Sequence, residues 1–228
     1  MNAVDDKTVV RDYFNATGFD RWRRIYGDGE VNKVQLDIRQ GHQQTVDTLL
    51  SWLIYDGNLA GLSMCDAGCG VGSLSIPLAQ AGAKVYASDI SEKMVEEAKE
   101  RAKETLGNTD NLTFAVQDLE TLSGRYHTVV CLDVLIHYPQ DKAAEMIAHL
   151  SSLAESRLIL SFAPKTLALS ILKKIGELFP GPSKTTRAYQ HREADIIEIL
   201  KMNGFSIERK AMTSTRFYFS RMLEATRK

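Results

Sequence analysis

Residues 66–72 read Asp-Ala-Gly-Cys-Gly-Val-Gly, an acid followed by three alternating glycines. An apolar strand pattern over 62–65 precedes them, and a helix-forming run over 73–81 follows. Glycines at Gly68 and Gly70 permit a tight turn and a close approach of backbone to ligand. The N–H groups opening the next helix then face that ligand. The spacing departs from the dinucleotide fingerprint G-x-G-x-x-G, whose third glycine would fall on Ser73. Asp66 would oppose a pyrophosphate and suits a ligand carrying an ammonium group. A nucleotide site and a plain structural turn are the competing readings.

Three strand ends supply more chemistry. Asp89 closes a strand over 84–90 and follows Asp66 by 23 residues. An acid at that interval is placed to accept hydrogen bonds from ribose hydroxyls. The bland reading is a helix-start carboxylate, since Ser91 caps a helix with Met94, Val95 and Ala98 on its inner face. A strand over 111–116 ends in Gln117-Asp118-Leu119. Asp118 is placed to accept from an adenine amino group while the adjacent backbone N–H, at Leu119, meets a ring nitrogen; a surface turn acid is the alternative. The strand over 127–132 is apolar enough for a central position. It runs into Asp133 and, four residues later, His137. A lone histidine is commonly structural, but its place after a central strand favours function.

The elements that must position these groups alternate. Helices are expected over 5–14 (Val9, Val10, Tyr13, Phe14) and 19–26 (Phe19, Trp22, Ile25, Tyr26), with a break at 15–18. Residues 30–41 are mixed, and a helix over 43–55 carries Val46, Leu49, Leu50, Leu53 and Ile54. Residues 1–57 therefore form a helical arm ahead of a 58–228 domain. It either packs over a sheet edge or acts as a lid; its aromatic surface suits a large flat ligand and favours the lid. A helix over 141–153 and a strand over 157–162 follow. Residues 164–192 carry an apolar stripe (Leu167, Ile171, Leu172, Ile175, Leu178) and a surplus of Lys and Arg. This stretch is a core helix, a cap inserted over the substrate, or a membrane-surface face. A helix over 193–202 ends at Asn203-Gly204, and strands over 205–210 and 216–226 close the chain. The pattern predicts an α/β fold: a doubly wound, Rossmann-like, seven-stranded, mostly parallel sheet with a C-terminal antiparallel hairpin.

Composition narrows the classes. At 228 residues and 44% hydrophobic, the chain can bury one sizeable core with an appendage. A formal net charge of −1 argues against a nucleic-acid partner. Cys65, Cys69 and Cys131 make neither a disulfide framework nor, with any histidine, a zinc spacing. No protein metal site is expected. The polar N-terminus and the lack of a long apolar run lead to an expected cytoplasmic location.

The motif at 66–72, Asp89, Gln-Asp-Leu at 117–119 and the strand at 128–133 resemble the class I S-adenosyl-L-methionine (SAM) methyltransferases. The arm narrows this. Residues 13–22 (Tyr-Phe-Asn-Ala-Thr-Gly-Phe-Asp-Arg-Trp), 25–28, 34–39, 179–181 and 217–220 are similar to the magnesium-protoporphyrin IX methyltransferase family of chlorophyll and bacteriochlorophyll synthesis. The resemblance implies methyl transfer from SAM to the 13-propionate of Mg-protoporphyrin IX, giving the 13-monomethyl ester and S-adenosyl-L-homocysteine (SAH). It implies cofactor contacts from Asp66, Gly68, Cys69, Gly70, Asp89, Ile90, Met94, Asp118, Leu119 and Asp133. His137 and Tyr26 are then candidates to orient the propionate, His137 also to take a proton from it. Mg²⁺ enters only inside the porphyrin. The family also implies hand-over from the magnesium chelatase large subunit and peripheral contact with photosynthetic membranes. The residues alone leave open a methyltransferase of another small molecule such as a quinone precursor, and a non-catalytic SAM binder. A nicotinamide oxidoreductase is disfavoured by Ser73 and Asp66.

Overall fold

The computed structural model describes residues 6–165 and 189–228. Its strands are β1 (Ser63–Ala67), β2 (Lys84–Asp89), β3 (Leu112–Val116), β4 (Tyr126–Cys131), β5 (Ala154–Phe162), β6 (Phe205–Ser214) and β7 (Phe219–Arg227). They form one sheet in the order β3-β2-β1-β4-β5-β7-β6. The pairs among β1 to β5 are parallel, while β7 runs antiparallel to both β5 and β6. The expected architecture is therefore present. Strand order reverses between β1 and β4, which opens a crevice beyond their carboxyl ends.

Both faces of the parallel part are covered, as such sheets require. Side chains of a strand alternate between faces. Cys65, Val129, Leu158 and Leu160 thus join one core cluster with Met146, Ile147 and Leu150 of α6 (Gln140–Leu153) and Ile196 and Leu200 of the final helix (Glu193–Met202). Met64, Val130 and Ile159 join the other, with Leu78 of α4 (Ser75–Gln80) and Val46, Leu49 and Leu53 of α3 (Lys33–Asp56).

Several boundaries differ from expectation: the second helix already starts at Thr17, within the expected break, β5 starts at Ala154 and β6 runs on to Ser214. Three further differences bear on the site. Helix α3 begins at Lys33, ten residues before the expected start. Asn32 and Gln35 form a reciprocal capping box there, which outweighs the irregular apolar pattern that follows. Gly41 sits inside this helix because the ring of Tyr218 lies against it; a Cβ would fall 2.5 Å from Tyr218 Cδ1. At the other end, residues 215–218 make a turn where a strand was expected, and β7 starts at Phe219. The carboxylate of Asp37 on α3 accepts from the Thr215 hydroxyl (2.6 Å) and the Phe217 N–H (2.8 Å), holding the turn away from the sheet. Helix α4 is shorter than expected because the glycine loop extends to Leu74.

The expected boundary at 57/58 separates α3 from β1, and α3 nevertheless shares a core cluster with the sheet. The remainder of the expected arm, α1 (Asp6–Asn15) and α2 (Thr17–Ile25), lies over the crevice. The apolar stripe read at 164–192 falls mostly on 166–188, outside the described residues. Its flanks meet in a parallel bridge between Pro164 and His191.

Candidate active site

The crevice holds one continuous cavity with two chemically distinct halves. The first is built on strand ends. Gly68, at φ +85°, packs so closely under Val134 that a Cβ would lie 2.1 Å from Val134 Cγ2. The N–H groups of Gly68 and Cys69 donate to the Ser88 carbonyl at 2.8 and 2.9 Å, tying the loop to the end of β2. Asp89 accepts from the Gly70 N–H (3.0 Å) and the Ser91 N–H (2.8 Å). Burial pushes its carboxyl above the usual range, and these backbone donors oppose that. Each oxygen keeps a lone pair for a further donor.

Asp118 lines the same half. It accepts from the Glu120 N–H at 2.9 Å and pairs with Lys7 of α1 at 3.1 Å, and Lys7 also pairs with Glu120. Those partners hold α1 over the site. Asn15, at the end of α1, accepts from the Ser91 hydroxyl at 2.8 Å and adds a second tether. Gly68, Cys69, Gly70, Asp89, Ile90, Met94, Asp118 and Leu119 all line the cavity. Asp66 does not. It is 2% exposed behind the loop, accepts from the Ser75 hydroxyl at 2.5 Å, and is raised by burial to about 6.

The second half is aromatic. Rings run in sequence from His137 to Phe14 (5.4 Å), Trp22 (6.2 Å), Tyr26 (5.4 Å) and His42 (4.5 Å), measured between successive centroids. Two guanidiniums fix the end of α2 that carries Tyr26. Arg101 of α5 (Glu92–Leu106) donates to the Tyr26 carbonyl at 2.7 Å, and Arg39 of α3 donates to the carbonyls of Ile25 and Arg24 at 2.9 and 2.7 Å. Cations suit the terminal carbonyls of a helix. Burial raises the Tyr26 phenol well above its ordinary value, as do the nearby Asp133 and Asp89 charges. His137 follows β4 in a short 3-10 turn. Burial lowers it to about 4 against the pull of Asp133, and its Nδ1 is buried without a hydrogen-bond partner among the described residues.

Asp133 sits where the two halves meet. It has φ 56°, a left-handed value that aspartate tolerates better than most residues. Its carboxylate accepts from Tyr218 OH (2.7 Å) and the Ser161 hydroxyl (2.9 Å), and lies 3.0 Å from His42 Nδ1. Burial raises its carboxyl, but the His42 contact and charge, Tyr218 and Ser161 together bring it below the usual range. His42 and Tyr218 carry no role in the sequence reading. His42 lies on the part of α3 that the pattern left unassigned; the capping residues Asn32 and Gln35 were the available signal. Among the described residues no cluster of Cys, His, Asp or Glu is suited to hold a metal.

Residues 131–227 match the family described as magnesium-protoporphyrin IX methyltransferase C-terminus, and residues 64–156 match a methyltransferase domain. The chain is 72% identical over 225 residues to a magnesium-protoporphyrin O-methyltransferase of Synechocystis sp., covering 99% of this chain and 98% of that one. It is 62% identical over 221 residues to the chloroplastic magnesium protoporphyrin IX methyltransferase of Arabidopsis thaliana, covering 96% and 71%. A crystal structure of the Synechocystis magnesium protoporphyrin IX methyltransferase with bound SAH aligns at TM-score 0.92 and 70% identity, over 97% of this chain and 100% of that one. A second, with bound SAM, aligns at 0.89 and 64% over the whole of both. These matches, together with the sheet order and the glycine loop, make the chain a class I SAM-dependent methyltransferase. Within that class it belongs to the magnesium-protoporphyrin IX methyltransferase family.

Proposed function

We propose that the chain transfers a methyl group from SAM to the 13-propionate carboxylate of Mg-protoporphyrin IX, forming the 13-monomethyl ester and SAH in chlorophyll biosynthesis. The observation that carries this is the single cavity joining a glycine-loop half to an aromatic half. The first half fits the donor. Gly68 leaves no room for a side chain, Asp89 retains acceptor capacity for a ribose, and Asp118 with the Leu119 N–H faces the adenine. SAM supplies an electrophilic methyl on a sulfonium. The carboxylate oxygen bonds to that methyl carbon, the C–S pair leaves with sulfur, and no proton moves.

A propionate has a pKa near that of Glu, about 4.3, so it is ionised at neutral pH and needs no base. Carboxylate and sulfonium neutralise one another as the methyl moves, so excluding water and aligning O, C and S are the protein's tasks. Helices α1 and α2 serve as the lid that excludes water. Tyr26 and His137 orient the propionate. With its pKa at about 4, His137 is a neutral hydrogen-bonding ring at pH 7 and a poor base, so orientation is its role. Arg21, on the cavity wall against Trp22, adds a cation suited to an anionic acceptor.

The reading extends to hand-over of the porphyrin from the magnesium chelatase large subunit, and to a cytoplasmic protein peripheral to photosynthetic membranes. Exposed Val34, Leu36 and Phe217 support such contact, Phe217 lying on the cavity wall itself. Among the described residues no helix is long and apolar enough to cross a membrane.

The test offers methyl-labelled SAM with Mg-protoporphyrin IX and with a panel that includes a quinone precursor. Label in the porphyrin ester is expected, together with a shift of porphyrin absorbance on mixing. Label in the quinone precursor alone, or SAM binding with no transfer to any acceptor, overturns the reading.

A further inference from the structure

His42 lines the aromatic half of the cavity, and its Nδ1 lies 3.0 Å from Asp133 Oδ2. A carboxylate only accepts, so Nδ1 carries the proton and donates. Nε2 has no hydrogen-bond partner among the described residues. The ring is held on two further counts. Its neighbour Tyr26 packs against it with centroids 4.5 Å apart, and Asp133 is itself immobilised by Tyr218, Ser161 and a left-handed backbone. Four elements distant in the chain therefore converge to fix one imidazole.

Charge makes the arrangement pointed. Three carboxylates line a cavity that must admit an anion: Asp89, Asp118 and Asp133. Lys7 offsets Asp118, and Asp89 lies in the donor half, where its partners are backbone donors. Asp133 alone would repel a propionate arriving in the aromatic half. With His42 across it, the surface presented there is an imidazole edge, and with a proton on each nitrogen the ring donates to a carboxylate on either side.

We propose that His42, protonated on both ring nitrogens in the complex, donates from Nε2 to the acceptor carboxylate, with Asp133 and Tyr218 as residues that position it. This rests on the methyl-transfer reading above and adds a third contact to Tyr26 and His137. The rival account is a structural tie in which His42 only fastens α3 to the turn after β4.

Two isosteric variants separate these accounts. Asparagine reproduces the Nδ1 donor and glutamine the Nε2 donor. The readout is the ratio of affinities for Mg-protoporphyrin IX and for its dimethyl ester, which lacks the carboxylates, followed by porphyrin fluorescence. SAM titration and Tm are measured in parallel. His42→Asn is expected to lose about 10-fold of the wild-type preference for the carboxylate and to raise KM for the porphyrin, with SAM affinity unchanged; a single charge-assisted hydrogen bond is of that size. His42→Gln is expected to retain most of the preference. Should His42→Asn fail to fold, His42→Phe, which keeps a ring beneath Tyr26, is expected to lose the same preference. Retention of the preference in His42→Asn or His42→Phe overturns the proposal, as does a larger loss in His42→Gln than in His42→Asn. A wild-type protein that methylates no porphyrin fails the earlier reading instead, so the two failures are distinguishable.

Discussion

The two halves of the cavity, proposed above for donor and acceptor, are built by opposite means. The donor half is mostly backbone: a loop whose Gly68 leaves no room for a side chain, and strand ends whose carboxylates are held by N–H groups two to nineteen residues away. The acceptor half is mostly side chain. His42 and Asp133 are 91 residues apart, Tyr218 and Asp133 are 85 apart, and each comes from a different element. The difference teaches where tolerance should lie. Backbone-built sites fail by strain and lost loop anchors, and should show it as lost SAM binding. Side-chain-built sites fail by lost orientation, and should show it as lost turnover with SAM binding intact.

Five measurements test that division. The largest effect is expected for Gly68→Ala. A Cβ 2.1 Å from Val134 at φ +85° combines overpacking of about 1–3 kcal/mol with left-handed strain of about 1–2 kcal/mol. SAM affinity by calorimetry should fall by about 100-fold or more; binding within threefold of wild type would break the backbone account. Asp89→Ala comes next. It leaves the Gly70 and Ser91 N–H groups unpaired at about 1–3 kcal/mol each, so SAM affinity should drop about 10- to 100-fold.

On the acceptor side, His137→Phe should lower kcat about 10-fold while SAM titrates as in the wild type, the loss of one orienting contact. Equal losses of turnover and SAM affinity would erase the distinction between halves. The same substitution tests pH behaviour. In the native state His137 takes its proton only near pH 4, against 6.5 when unfolded. Between those values the unfolded chain binds more protons, so native stability falls as pH drops from about 6.5 to about 4. Asp66 acts with the opposite sign. Its native carboxyl titrates near 6 against 3.8 unfolded, so its stabilising contribution is lost as pH rises through that window. Melting curves should show His137→Phe losing stability as pH rises from 4 to 6, and Asp66→Asn gaining it; parallel profiles for both would refute these assignments. The smallest effect is expected for Lys7→Ala. Its partly buried pairs with Asp118 and Glu120 are worth about 0.5–1 kcal/mol, so SAM should dissociate about two- to fivefold faster.

The legibility of the chain follows the same line. All seven strands, and the place of Asp89 and Asp118 at strand ends, are legible in the sequence, because strand patterning and the acid after a strand are written in contiguous residues. Asp66 was singled out, but its burial behind the loop was not foreseen; whether a carboxylate faces a ligand or the core depends on Ser75 and the packing of α4. Residues 33–42 lack a clean helical period, so the local pattern does not place His42 on an element. Residues 216–218 carry a strand pattern because Phe217 and Phe219 alternate, while Asp37, far away in the chain, decides the conformation of this turn.

Local sequence was enough for the sheet, the glycine loop and the carboxylates at the strand ends, since each depends on groups a few residues apart whose geometry the local backbone sets. Only the tertiary structure decided which histidine meets Asp133, which aromatic rings line up between His137 and His42, and that α3 belongs to the core as well as the site. Those contacts arise when helices pack across the ends of strands distant in the chain, and no spacing of neighbouring residues records them.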